Sequence, residues 1–250
     1  MLKAFISILI LSQGLLFAHC DGCGTDAKST HKHGTLKGNV KYNGSKQERK
    51  PVTSIKDDPD CGAAHEGDVL SEKFIVDDNM NVKNVIVWLK DVKYDGEMIS
   101  STAELDQKGC IYDPHVFAVM SGQEILVKNS DPITHNIHAL PKVSSSFNSG
   151  QPPSVPLIKS FDKAEDPFKI KCDIHPWMTS WVLVQDHPYF AITDDKGNFS
   201  IENIPAGTYT VQFWQEKLSR IPASRFIIES NTMEIQIADG EILDINFSFN

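Results

Sequence analysis

The stretch Phe168-Lys-Ile-Lys-Cys172-Asp-Ile-His175-Pro-Trp-Met178-Thr-Ser-Trp-Val-Leu-Val184 decides the reading of this 250-residue chain. It reads as two β-runs joined by a short loop, and on the loop Cys172, His175 and Met178 stand at the spacing Cys-x2-His-x2-Met. A thiolate, an imidazole and a thioether are three of the donors of a His2Cys copper site with a weak axial Met; the fourth is a second histidine from elsewhere. His135, in the upstream segment Asn129-Ser-Asp-Pro-Ile-Thr-His135-Asn-Ile-His138, is the candidate.

The donor types suit the chemistry. Soft sulfur favours Cu(I), imidazole is acceptable to both oxidation states, and the mixed set lets copper change charge with little rearrangement. Three donors within seven residues lose little loop-closure entropy on converging, and Pro176 stiffens the loop by fixing its own φ. Zinc is the weaker reading, because zinc sites favour paired Cys and His spacings and rarely recruit methionine.

These segments resemble the cupredoxins. Cys172-Asp-Ile-His-Pro-Trp-Met178 has the ligand spacing of amicyanin, and His135-Asn-Ile-His138 is similar to the amicyanin strand carrying the first histidine ligand and the asparagine after it. The run from Tyr112-Asp-Pro-His-Val-Phe117 to Ser121-Gly-Gln-Glu-Ile-Leu-Val-Lys-Asn129 resembles the cupredoxin strand, Gly turn and strand. The resemblance covers residues 105–187 and implies one type 1 copper ion on His135, Cys172, His175 and Met178, with Asn136 and Asp173 beside the ligands. Asp173 departs from the pattern, since Ser or Thr usually follows the cysteine; an ionised carboxylate there favours Cu(II) and lowers the potential. The implied function is one-electron transfer to a redox protein, a cytochrome or a copper or quinone enzyme. The edge of His175 is expected at the loop surface beside Pro176 and Trp177 as the electron's route.

Residues 1–19 read as a secretion signal: Lys3 is the positive start, and Ala4 to Ala18 is largely apolar but too short to span a bilayer. The protein is therefore expected to be exported, to the periplasm or the cell surface. Leu16-Phe-Ala-His-Cys20 resembles a bacterial lipobox, which implies lipidation of Cys20, although His19 stands where a small residue belongs; cleavage after Ala18 is the rival. Any membrane contact would then run through that anchor. Residues 20–34, with Cys20, Cys23, His31 and His33, read as a flexible tether.

Cys172 is reserved for the metal as a thiolate. Cys61 and Cys110 are the expected disulfide, allowed by an oxidising exterior. Cys20 and Cys23 pair with each other, or Cys20 is lipidated and Cys23 is left over. Removing Lys3 with the leader takes the formal charge from −9 to −10, which argues against nucleic acid as a partner.

The remainder reads as all-β: a cupredoxin Greek-key sandwich plus a second sandwich, with no convincing helical periodicity and a long loop over 141–166. Among the expected strands are Thr35–Tyr42, Asn84–Leu89, Thr134–Leu140, Thr208–Trp214 and Arg225–Glu229. In residues 188–250 the turns Asp195–Gly197 and Pro205–Gly207 separate alternating strands (Phe199, Ile201; Tyr209, Val211, Phe213). This part resembles the transthyretin-like regulatory domain of carboxypeptidases. In such domains the first two strands read like Leu36-Lys-Gly-Asn-Val-Lys-Tyr42 and Asn84-Val-Ile-Val-Trp-Leu-Lys90, both of which precede the metal segment here. Residues 35–104 are therefore expected to supply N-terminal strands of the second sandwich, with the copper domain inserted; two domains in series is the alternative, and the Gly-x-Val strand near residue 38 favours insertion.

His138, three residues from His135, falls on the opposite strand face and is expected to be packed or exposed, not a ligand. His115 reads as structural, His187 as interdomain, and Trp177 and Trp181 as packing or covering the site. Two other function classes compete with the carrier: an exported copper chaperone or store, and a binding or adhesion module. The former should show Met-rich motifs, and the latter should have lost ligands. An enzyme is disfavoured, because the part expected to fold offers no paired His-x-His set for a substrate-binding copper.

Overall fold

The computed structural model describes residues 33–219 and 231–250. The leader, most of the tether with Cys20, Cys23 and His31, and the strand expected at Arg225–Glu229 lie outside the described residues.

The described chain is nearly all strand, arranged as two β-sandwiches with separate cores. In the first, a five-stranded sheet runs in the order Phe147–Gln151, His135–Ala139, Glu165–Lys171, Thr179–Gln185, Val116–Met120. It faces a four-stranded sheet ordered Leu157–Lys159, Ile125–Asn129, Ala103–Gln107, Tyr112–Asp113. Leu105, Phe117, Val127, Ile137, Phe161, Ile170 and Val182 fill the space between, all buried.

The second sandwich takes strands from both sides of the first. Gly34–Tyr42 pairs antiparallel with Asn198–Ile204 and parallel with Ile242–Phe249. Ile86–Lys90 pairs with Phe190–Ile192 and with Gly207–Trp214, and the latter pairs onward with Thr232–Ile237. Two glycines make this possible. A Cβ on Gly38 would lie 2.2 Å from the Ile245 carbonyl of the neighbouring strand. Gly197 turns at φ +70° with Asp194 Oδ1 accepting from the Lys196 and Asn198 amides (both 2.8 Å).

Three strands are apolar on both faces, and their alternation explains why. Val85, Val87 and Leu89 point into the second core, while Ile86 and Trp88 point into a seam between the sandwiches. From the other side Val182 and Val184 enter the first core while Leu183 joins the seam, and Phe117 and Val119 do the same around Val116. Trp214 completes the seam, its ring 4.9 Å from that of Trp181.

Three differences from the sequence reading matter. Residues 141–166 are not one loop, since Phe147–Gln151 and Leu157–Lys159 are strands that add to existing sheets through backbone pairing. Within residues 35–104, Ala103–Gln107 pairs inside the first sandwich, and the segment 51–70 packs there too. That segment forms a 3-10 turn (Thr53–Asp57) and a short helix (Pro59–Ala63) started by Asp58, which accepts from the Asp60 and Cys61 amides at 3.0 and 2.9 Å. Such short helices carry too few residues for periodicity to show. The segment is held by its bridged ends (Val52 N to Val69 O, 2.8 Å), by buried Ile55, and by a disulfide from Cys61 to Cys110.

Candidate metal centre

The loop between Glu165–Lys171 and Thr179–Gln185 is closed by its own backbone: the Cys172 amide donates to Met178 O (3.2 Å) and the Met178 amide to His175 O (2.9 Å). His175 N also points at Cys172 Sγ (3.4 Å). Asn136 joins the loop to the neighbouring strand, its Oδ1 accepting from the Asp173 amide at 2.7 Å. These bonds fix where the side chains of Cys172 and His175 start.

His135 arrives from the start of the strand His135–Ala139. Its Nδ1 lies 2.8 Å from His175 Nδ1, and His175 Nδ1 lies 3.8 Å from Cys172 Sγ. All three donor atoms fall within 4.8 Å of one another, in residues that are 0%, 1% and 3% exposed for His135, Cys172 and His175. Met178, at the loop's end, is buried in the same core cluster as Cys172.

The outward nitrogen decides the tautomer of His135. His135 donates through Nε2 to Asp131 Oδ2 at 2.8 Å, because an ionised carboxylate can only accept. His175 Nε2 faces Asp58 Oδ2 at 3.6 Å, an electrostatic contact rather than a direct hydrogen bond. With the His135 Nε2 proton given to Asp131, the two Nδ1 atoms face each other inward, with the sulfur beside them. Lone pairs do not approach to 2.8 Å without something positive between them. A proton or a metal ion meets that need, and the three donors lie close enough together to share one ion.

The charges agree. Burial works against charge on His135, but its bond to Asp131 and its contact with Cys172 outweigh that and raise it to about 9. Burial likewise opposes a Cys172 thiolate, and the His135 and backbone donors around it win, pulling the thiol below its usual value. His175 is pushed down by burial and by the neighbouring His135, so its imidazole stays neutral. The pocket thus favours a thiolate at Cys172 with positive charge next to it.

Asp173 sits outside this set, bonded to His138 Nδ1 (2.9 Å), Lys171 (2.6 Å) and Asn148 (2.7 Å), and these partners hold its carboxyl well below the usual range. His138 is thus engaged on the outer face and takes no part in the donor cluster. His115 is buried in the seam, bonded to Thr179 O (3.1 Å) and Glu216 (2.9 Å). His187 is also buried, stacked on Tyr189 and accepting its amide.

His175 requires a correction. Its edge does not emerge at the loop surface, because the 51–70 segment lies over it with Asp58 against Nε2. Trp177 is the half-buried member instead, its ring 5.2 Å from that of His175 and its Nε1 donating to Cys110 O (3.0 Å). Pro176 and Trp177 line a cleft of about 860 Å³ whose other walls include Lys50, His65 and Glu72. The carboxylates Asp58 and Asp131 were missed by sequence reasoning. Each precedes a proline, but so do Asp113 and Asp166, so that signal does not single them out.

No family model and no curated protein matches the chain. Among solved structures it is similar to a copper-containing nitrite reductase from Thermus scotoductus (16% identity, TM-score 0.33), of which it spans 25% with 38% of its own length. It is similar to a purple cupredoxin from Nitrosopumilus maritimus (22% identity, TM-score 0.29), spanning 99% of that chain with 33% of its own. It is also similar to an oxidised amicyanin variant (18% identity, TM-score 0.31), 88% of which is covered by 36% of this chain. The likeness is confined to about a third of the chain, and the case for a metal rests on the donor atoms themselves.

Proposed function

We propose that the chain is an exported one-electron carrier with one type 1 copper ion, bound by His135, Cys172 and His175 with Met178 as the weak axial donor. The single observation that carries this reading is the inward convergence of two Nδ1 atoms and one Sγ while both outward nitrogens face carboxylates. A His2Cys set beside a methionine selects copper over zinc by donor softness. Bound there, copper supplies a one-electron couple; everything else is the work of the chain. Burial keeps water away, the loop bonds hold Cys172 and His175 in place, and Asp131 keeps His135 in the tautomer that presents Nδ1. A site held this rigidly resists rearrangement when the ion's charge changes. Complete burial of the three donors also favours permanent residence over the open coordination of a chaperone.

The resemblance of residues 105–187 to the cupredoxins agrees with this reading. The partner is a redox protein, met at Pro176 and Trp177 where the loop borders the cleft. The second sandwich is the transthyretin-like module that residues 191–211 resemble, and it serves as a mount. The N-terminal leader places the protein in the periplasm or at the cell surface, tethered by Cys20 if that residue is lipidated. Voltammetry of the copper-loaded protein tests the carrier reading. A reversible one-electron wave, with no consumption of dioxygen or nitrite, is expected; steady substrate turnover by the purified protein would replace carrier with enzyme.

A further inference from the structure

A chain of contacts links His135 and His175 on the side away from their inward nitrogens. Asp131, which holds His135, accepts from the amides of Gly109 (2.5 Å) and Cys110 (2.8 Å). Asp58, which faces His175, accepts through its other oxygen from the amide of Cys61 (2.9 Å). Cys61 and Cys110 are joined to each other, with Cα atoms 5.5 Å apart. Each carboxylate is therefore seated on the backbone of one half-cystine, and the disulfide fixes the distance between the two seats.

We propose that the Cys61–Cys110 disulfide and Asp58 are positioning elements for the metal, holding the 51–70 segment as a fixed cap whose carboxylate orients His175. The inference rests on the copper reading above and adds residues that no ligand motif contains. Three observations support it. The loop histidine is only 3% exposed, although it lies on a surface loop, so the cap is what shields it. The cap is short irregular turns instead of a strand in either sheet, so beyond buried Ile55 and the Val52–Val69 bond no sheet pairing holds it there. A further cap contact falls at the same place, His65 donating to Gly109 O (2.7 Å), beside Cys110, whose carbonyl accepts from Trp177 of the metal loop (3.0 Å). The half-cystine at 110 thus touches the cap, the metal loop and the carboxylate of the first histidine at once. The disulfide itself is 0% and 2% exposed at its two residues, which suits a permanent brace.

An orienting partner of a metal-bound histidine is expected to change affinity about 10–100-fold when removed. Asp58→Ser is the decisive variant, because serine can still accept from the Cys61 amide while no oxygen reaches His175. Copper affinity by competition with a chelator should fall by that factor. In the Cu(I) protein, the His175 Nε2 proton, protected from exchange in the wild type, should exchange quickly. Asp60→Asn, an exposed acid on the same short helix, should change neither. The double variant Cys61→Ser/Cys110→Ser should lose affinity at least as far; if it fails to fold, Asp58→Ser alone decides. Wild-type affinity and an equally protected proton in Asp58→Ser overturn the proposal. A wild-type protein that binds no copper contradicts the metal reading instead.

Discussion

The two sandwiches are built from the same kind of strand and differ in what they do with polar groups. The second packs an apolar core, with Phe213 stacked 3.9 Å from Phe247, and its buried polar groups, such as Thr193, which donates to Val82 O at 2.7 Å, are spread along strand and turn backbones. The first buries two histidines and a cysteine at one end, surrounded by hydrogen bonds, and braces that end with a disulfide. Buried polar groups are costly unless every one is partnered, so their concentration in one place marks chemistry. Scattered buried polar groups in the second sandwich serve its strands and turns, and the cluster of titratable ones at one end of the first is the candidate site.

Substitutions can sharpen that contrast. Phe161→Ala and Phe213→Ala remove fully buried rings from the first and second cores, and each should cost about 3–5 kcal/mol in denaturant unfolding. Only Phe161→Ala should also disturb the copper spectrum. An equal spectral change in both would erase the distinction between the regions.

The seam comes next. Glu216→Ala leaves His115 buried without its carboxylate, and breaking such a pair costs about 3–5 kcal/mol. Burial raises the Glu216 pKa, but its bond to His115 outweighs that and sets it below the ordinary glutamate value. Its stabilisation is thus present above the unfolded-state pKa and lost as pH falls through the folded one. The gap between wild type and Glu216→Ala should narrow on acidification; a gap that widens in acid would contradict the assignment.

Removing the disulfide, with its ends 49 residues apart, should cost about 2–5 kcal/mol, read as a lower Tm at fixed metal content. The smallest effect is Trp177→Lys, which should leave the copper spectrum intact and slow transfer to a partner protein, measured by stopped flow across ionic strength. Indifference of the rate would place the docking face away from the cleft.

How much of this was legible depended on whether the information was local. Cys172, His175 and Met178 are legible because they sit on one loop, and His135 because an Asn-rich strand end frames it. The second core shows in the alternation Phe199, Ile201 and Tyr209, Val211, Phe213. The strand Phe147–Gln151 was hidden because Phe-Asn-Ser-Gly-Gln has little β character; it forms by pairing with His135–Ala139 and by stacking Phe147 on Phe161 at 5.5 Å. The burial of His175 was illegible for a similar reason. It depends on Asp58, more than a hundred residues away in sequence and brought over the loop by Cys61, and nothing near residue 175 announces it.

The central claim is that one copper ion binds through the Cys172 thiolate. Titrating the metal-free protein with Cu(II) while recording the visible spectrum tests it most directly, with Cys172→Ser alongside. One equivalent should develop an intense sulfur-to-copper charge-transfer band that is absent from the variant. Copper bound without that band, or with an identical spectrum in Cys172→Ser, would contradict the account.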